Sequence, residues 1–295
     1  MWNSKRGPLS GAPLYSPIAP VEMLIELRKM GLVSNYLLVL PHDVVRNPAS
    51  YRELLKTKIC DAEEVGEWII ILDNGAAEIA KGEVNYKDIN NLMLEAYEIV
   101  RPNIICLNDV IGDPTASLIA SGISHHDWEE RLWNTYSVQA GVDYEWMAIP
   151  QGNTTGQTLE AARKMALWSH VNYWGIPRNL TNTCGSRVPI VDRISRDVQL
   201  NSRRDMHLNK PIHLLGMSNC LLDDIEAASY PNVMGIDSAN PLVLGYNDVR
   251  ISKEYANATV HLPRLDYWSN IQVSDLICDN ICVIQELLAD AKQRH

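Results

Sequence analysis

The 295-residue sequence contains no phenylalanine; eight Trp and twelve Tyr carry its aromatic content. No apolar run approaches the ~20 residues needed to cross a bilayer, which argues against an integral helical membrane protein. Lys5 and Arg6 near the start have no apolar stretch behind them, so no secretory signal is expected. Cysteine is sparse: residues 60, 106, 184, 220, 278 and 282 are scattered, with no spacing that suggests a disulfide framework. A reduced, cytoplasmic chain is therefore expected, in which the sequons at 179–181 and 257–259 carry no meaning. No Gly-x-Gly-x-x-Gly turn follows any apolar run, which argues against a dinucleotide-binding open sheet. Basic residues are short, 26 Lys and Arg against 36 Asp and Glu, for a net charge of -10. That balance disfavours a protein that coats nucleic acid but leaves room for an enzyme with a local basic patch.

What is present is ordinary for a globular chain, 46% hydrophobic and 21% charged. Short apolar runs alternate with amphipathic stretches. The runs are 36–40, 68–72, 104–107, 145–149, 173–176, 212–215, 233–236 and 259–262. Most are continuous and rich in Ile, Val and Leu, as strands buried on both faces of a parallel sheet are. Between them, 88–100 places Ile89, Leu92, Met93, Ala96 and Val100 on one helical stripe. Residues 158–171 and 221–229 read similarly, and 271–293 reads as a closing C-terminal helix. Eight strands separated by helices predict a single-domain (β/α)8 barrel, a TIM barrel, over residues 1–295. A doubly wound sheet is the competing architecture. The segment 1–20, with Pro8, Pro13, Pro17 and Pro20, is expected to wrap the outside.

In a barrel the C-terminal strand ends carry the chemistry. Here they are polar: His42-Asp43, Asp73-Asn74-Gly75, Asn108-Asp109, Gln151-Gly152-Asn153, Arg178-Asn179, Ser218-Asn219 and Asp237-Ser238. Seven polar ends imply a shared pocket. Asp73, Asp109 and Asp237 each directly follow a strand, where an Asp also commonly caps the next helix. Such carboxylates can perform glycosyl chemistry, one attacking an anomeric carbon and another moving protons. They can also hold a divalent metal, but His42 and His213 make no recognisable ligand spacing. His125-His126 reads as surface. Cys278 and Cys282, four apart on a helix, lack a second pair and read as helix-face residues. Gly75 and Gly235 fit either a close ligand approach or a turn. Arg187, Arg193, Arg196, Arg203 and Arg204 form the main positive concentration, either a solvated helix face or a phosphate-contacting surface.

These motifs, in order, resemble the tRNA-guanine transglycosylase superfamily. The longest match is 212–218, then 221–228, then Gly235-Ile236-Asp237. The resemblance implies that Asp237 is the nucleophile. Asp73-Asn74-Gly75 is similar to the family's Asp-Ser-Gly-Gly segment, whose Asp transfers protons. Asn108-Asp109 is similar to the strand end that recognises the purine edge. Gln151-Gly152 and Gly175 are similar to base-contacting positions. The departures favour a particular branch. The Cys-x-Cys-x-x-Cys…His zinc site is absent, Asn240-Pro241-Leu242 replaces Pro-Thr-Arg, and the chain is short, with no added RNA-binding domain. These features resemble compact phage-type DNA transglycosylases, which exchange guanine in DNA for a 7-deazaguanine.

The implied reaction extrudes guanosine into the pocket. Asp237 forms a covalent ester with the sugar, and Asp73 protonates the leaving base and later deprotonates the incoming one. Asp73 and Asp237 are then catalytic, and Asn74, Asn108, Asp109, Gln151, Gly152 and Gly175 bind the base. DNA is the expected partner, with tRNA as the alternative. No metal or other cofactor is expected. Competing readings are a zinc-free tRNA enzyme, a non-catalytic nucleic-acid-binding subunit, and an unrelated barrel hydrolase or metal-dependent lyase.

Overall fold

The computed structural model describes residues 12–59, 66–82, 85–196, 208–218, 220–252 and 272–293. Its strands are β1 (Leu14–Pro17), β2 (Tyr36–Val39), β3 (Ile69–Leu72), β4 (Ile104–Cys106), β5 (Glu145–Ala148), β6 (Val171–Pro177), β7 (Ile212–Leu215) and β8 (Val233–Ser238). All neighbouring pairs are parallel, in the order β1-β8-β7-β6-β5-β4-β3-β2. The seam between β1 and β2 is spanned by the Leu38 N–H, which donates to Ser16 Oγ at 2.9 Å. The chain is thus a single-domain (β/α)8 barrel rather than a doubly wound sheet.

Seven of the eight apolar runs form strands. The eighth, 259–262, lies outside the described residues. The missing strand is supplied by Leu14–Pro17, inside the proline-rich segment expected to wrap the exterior. Pro17 is tolerated because β1 has a ladder partner on one side only, β8, so its missing N–H interrupts no central ladder.

The helices are α1 (Val21–Lys29), α2 (Pro41–Arg46), α3 (Pro48–Lys56), α4 (Ala76–Lys81), α5 (Tyr86–Val100), α6 (Pro114–Tyr136), α7 (Thr155–Ala166), α8 (Asn179–Cys184), α9 (Val188–Arg196), α10 (Leu221–Ala228), α11 (Asn240–Tyr246) and α12 (Asp275–Lys292). Of the stripe read on α5, Ile89, Met93, Ala96 and Val100 face the core, while Leu92 is only half-buried. Two apolar clusters result. The larger lies between helices and strands. The smaller fills the barrel with Tyr36, Leu38, Ile71, Ile104, Cys106, Met147, Ile149, Tyr173 and Met234. This plug occupies the interior and leaves the C-terminal strand ends for polar residues. Among the described residues, no helix is long and apolar enough to cross a membrane.

Candidate active site

Asp237 is the penultimate residue of β8, and its side chain is held by β7 and the turn after it. His213 Nε2 lies 2.9 Å from Asp237 Oδ1, and the Gly216 N–H donates to the same oxygen at 2.9 Å. Oδ2 takes no hydrogen bond among the described residues. The carboxylate is therefore anchored through one oxygen and open at the other. Gly216 adopts φ +68, a left-handed conformation that suits glycine and turns its N–H toward Asp237.

His213 is fully buried, and its Nδ1 lies 2.5 Å from the Tyr36 hydroxyl. Burial, and then the Asp237 charge, push the Tyr36 pKa well above its ordinary value. Tyr36 therefore keeps its proton and donates to Nδ1. Nε2 then carries the imidazole proton and donates to Asp237. Gly235 makes the arrangement possible: a Cβ there would meet Tyr36 Cε1 at 2.6 Å and the Leu14 carbonyl oxygen at 2.6 Å. Its small size serves neither a ligand nor a turn, the two roles read from sequence, but the Tyr36 ring.

Asp73 follows β3 and remains partly exposed. Burial, then the nearby carboxylates of Glu78, Asp237 and Asp109, push its pKa well above the usual carboxylate range. Asp73 is thus a carboxyl biased toward its protonated form. Asp109 follows β4 in a different setting. Asn74 Nδ2 donates to its Oδ1 at 2.7 Å, and Gln151 Nε2 donates to its Oδ2 at 2.6 Å. Burial raises its pKa to about 6, while these two amide bonds pull it back. The amides are themselves fixed. Asn74 Nδ2 also donates to the Leu107 carbonyl, and Gln151 Oε1 accepts from the Gly112 N–H and from Asn179 Nδ2. Strand ends β3, β4, β5 and β6 are therefore joined in one polar lattice around Asp109.

Asn108 belongs to that lattice through its backbone. Its N–H donates to Ser124 Oγ, and its carbonyl accepts from Ser121 Oγ. Ser117 Oγ bonds both the N–H and the carbonyl of Val110. These three buried α6 serines were missed by sequence reasoning. Their spacing of i, i+4, i+7 on one helix face was the available signal.

The two glycines expected to contact a base sit differently. A Cβ on Gly152 would meet Thr158 N and Oγ1 at 2.6 Å, so this glycine lets the loop pack on α7. A Cβ on Gly175 would meet Leu215, Ile149 and Met147 between 2.7 and 3.1 Å, so side chains close over it. At both positions the direction a side chain would take is already filled.

The described arginines of the cluster, Arg187, Arg193 and Arg196, do not line the mouth. Arg187 is fully buried. It is paired with Asp224 and donates to the Ile176 and Leu215 carbonyls. Arg193 and Arg196 lie in the last turn of α9. That turn packs beside Tyr230 and Asn232, which precede β8, at the barrel end opposite the carboxylates. Arg203 and Arg204 lie outside the described residues. His125 lies elsewhere than its sequence context suggests. It is not a surface residue like its neighbour His126 but stacks on His170 with ring centroids 3.4 Å apart. Among the described residues, no group of three or more His, Cys, Asp or Glu is placed to hold a metal.

No protein-family model matches the sequence, and no curated protein matches it.

Proposed function

We propose that this chain is a DNA-guanine transglycosylase that replaces guanine with a 7-deazaguanine, with tRNA as the alternative polymer. The observation that carries the reading is the division of labour among three carboxyl groups at one mouth. Asp237 has one anchored and one open oxygen, Asp73 is biased toward its protonated form, and Asp109 is held ionisable by two amides. A double displacement at a sugar needs a nucleophile and a separate proton donor.

In the first step Asp237 Oδ2 attacks C1′ of an extruded guanosine. The C1′–N9 bond breaks, and its electron pair leaves with the base, which takes the Asp73 proton. In the second step the incoming base returns a proton to Asp73, and its N9 attacks C1′. The ester C–O bond breaks, and Asp237 leaves as a carboxylate. Two inversions retain the anomeric configuration. Guanine offers N–H donors beside a carbonyl acceptor, which suits the Asp109 carboxylate next to the Asn74 and Gln151 amides.

The test is exchange of radiolabelled guanine into duplex DNA and unmodified tRNA in parallel, with Asp237→Ala as the control. Label entering DNA and lost in the variant supports the reading. Label entering tRNA alone moves the chain to the alternative polymer. Incorporation into neither, by folded protein, overturns it.

A further inference from the structure

A polynucleotide attacked at C1′ carries phosphates on the same sugar, within one arginine side chain of the nucleophile. Among the described residues the sequence cluster supplies no such cation at the mouth, because Arg187 is buried and Arg193 and Arg196 lie at the other end. Arg178 occupies the required place. It follows β6, and its N–H donates to the Leu215 carbonyl at 2.9 Å, one residue before Gly216. Its stem runs over Gly216: a Cβ at that glycine would lie 3.0 Å from Arg178 Cδ and 3.5 Å from Cγ. Gly216 is the residue whose N–H holds Asp237 Oδ1.

Arg178 is exposed and, among the described residues, makes no ion pair and no side-chain hydrogen bond. Other arginines of the chain do pair. Arg101, Arg131, Arg196 and Arg250 each meet a carboxylate. Arg178 stays unpaired although Asp73, Asp109 and Asp237 line the same end of the barrel. Its stem is laid across the glycine that anchors the nucleophile rather than onto a neighbouring helix. A guanidinium held there offers parallel N–H donors to an anion arriving with the substrate.

We infer that Arg178 binds a phosphate of the substrate polynucleotide beside the nucleotide that Asp237 attacks; this rests on the nucleic-acid reading above. Phosphate recognition is separable from base recognition, which belongs to Asp109 and its amides.

The experiment is fluorescence anisotropy of labelled DNA, single-stranded and duplex, against the full chain over a salt series. Each phosphate contact contributes a slope of about 0.9 in log K against log[salt] on duplex DNA and about 0.7 on single strands. Arg178→Ala should weaken binding several-fold and lower the slope by roughly one contact. Arg178→Lys should restore most of the slope, because charge carries that quantity. Arg193→Ala, at the opposite end, should leave it unchanged, and free guanine should bind Arg178→Ala as it binds the wild type. A slope in Arg178→Ala equal to wild type overturns the inference while leaving the transglycosylase reading intact. A wild-type chain that binds neither polymer overturns both. Binding and a slope loss without base exchange would uphold Arg178 and sink the reaction.

Discussion

His213 donates Nε2–H to Asp237 Oδ1 across 2.9 Å, from a ring that is wholly shielded from solvent. The tautomer is set one residue further back by the Tyr36 hydroxyl. Removing the donor with His213→Leu should free Asp237 to rotate and lower the exchange kcat by about 10²-fold, the usual size for a lost preorganised donor. His213→Gln can still donate an amide N–H and should keep most of the rate. Tyr36→Phe should give a smaller loss with KM unchanged. Nitrogen-15 NMR of His213 provides a readout independent of turnover. The Nε2–H tautomer should dominate in the wild type, and a Tyr36→Phe spectrum with the same tautomer population would remove Tyr36 from this role.

Gly235→Ala tests the packing beneath that chain of bonds. The added methyl would meet the Tyr36 ring and the Leu14 carbonyl, both at 2.6 Å. Backbone on one side and a buried ring on the other leave little room to yield. Overpacking of this kind costs typically about 1–3 kcal/mol. A lower urea midpoint with an unchanged m-value is the expected result, together with reduced exchange as Tyr36 moves from His213.

Most strands were legible because a buried parallel strand is written as a mostly apolar run, as β2 to β8 are. β1 was not, because Leu14–Pro17 is short and ends in proline, and a one-sided strand tolerates what a central strand does not. Asp73, Asp109 and Asp237 were legible as polar residues at strand ends. The Tyr36–His213 support was hidden because both residues lie inside strands, where alternate side chains point into the barrel and sequence alone does not show which ones meet. Arg187 misled for a related reason. Its charge reads as surface, but the buried Asp224 that neutralises it lies 37 residues away.

Asp109 gives the base affinity a pH dependence. A pKa of about 6 means that its carboxylate form is lost as pH falls through 6. Guanine N–H donors require that form, so affinity should fall by up to about tenfold per pH unit below the midpoint. Asn74→Leu removes one donor that favours the charged form and should move the midpoint upward. Calorimetric titration of guanine from pH 5 to 8 measures both, and a flat affinity would remove Asp109 from base recognition. Stability runs the other way. The folded pKa lies above the ordinary 3.8, so this group favours the fold below about pH 4 and loses that contribution as pH rises toward 6.

Arg187 and Asp224 tie β6 and β7 to α10. Arg187 also donates to the Ile176 and Leu215 carbonyls, while Asp224 Oδ2 accepts from the Ser218 N–H. Removing one partner strands a buried charge, a loss of about 3–5 kcal/mol. Arg187→Met should therefore lower the urea midpoint sharply, and the paired change Arg187→Met with Asp224→Leu should recover part of it. A nucleic-acid contact at Arg187 would show the opposite pattern, with normal stability and a reduced salt slope.

The stacked imidazoles of His125 and His170 should govern part of the acid limb of stability. Burial, then the neighbouring His125 and Lys210 charges, lower the His170 pKa to about 4 from the ordinary 6.5. Burial lowers His125 as well, against the opposing pull of Glu129. Both rings are thus neutral in the fold at neutral pH, while the unfolded chain protonates them near 6.5. Between those values the unfolded state binds more protons, so stability is full above about 6.5 and is lost as pH falls toward 4. His170→Phe keeps a flat ring against His125 and cannot titrate. Urea midpoints at pH 7.5 and 4.5 should drop further in the wild type than in this variant. Asp109 contributes with the opposite sign in the same window but equally in both proteins, so the difference between them isolates the histidine pair. An identical drop in the two would show that the pair does not control the acid limb.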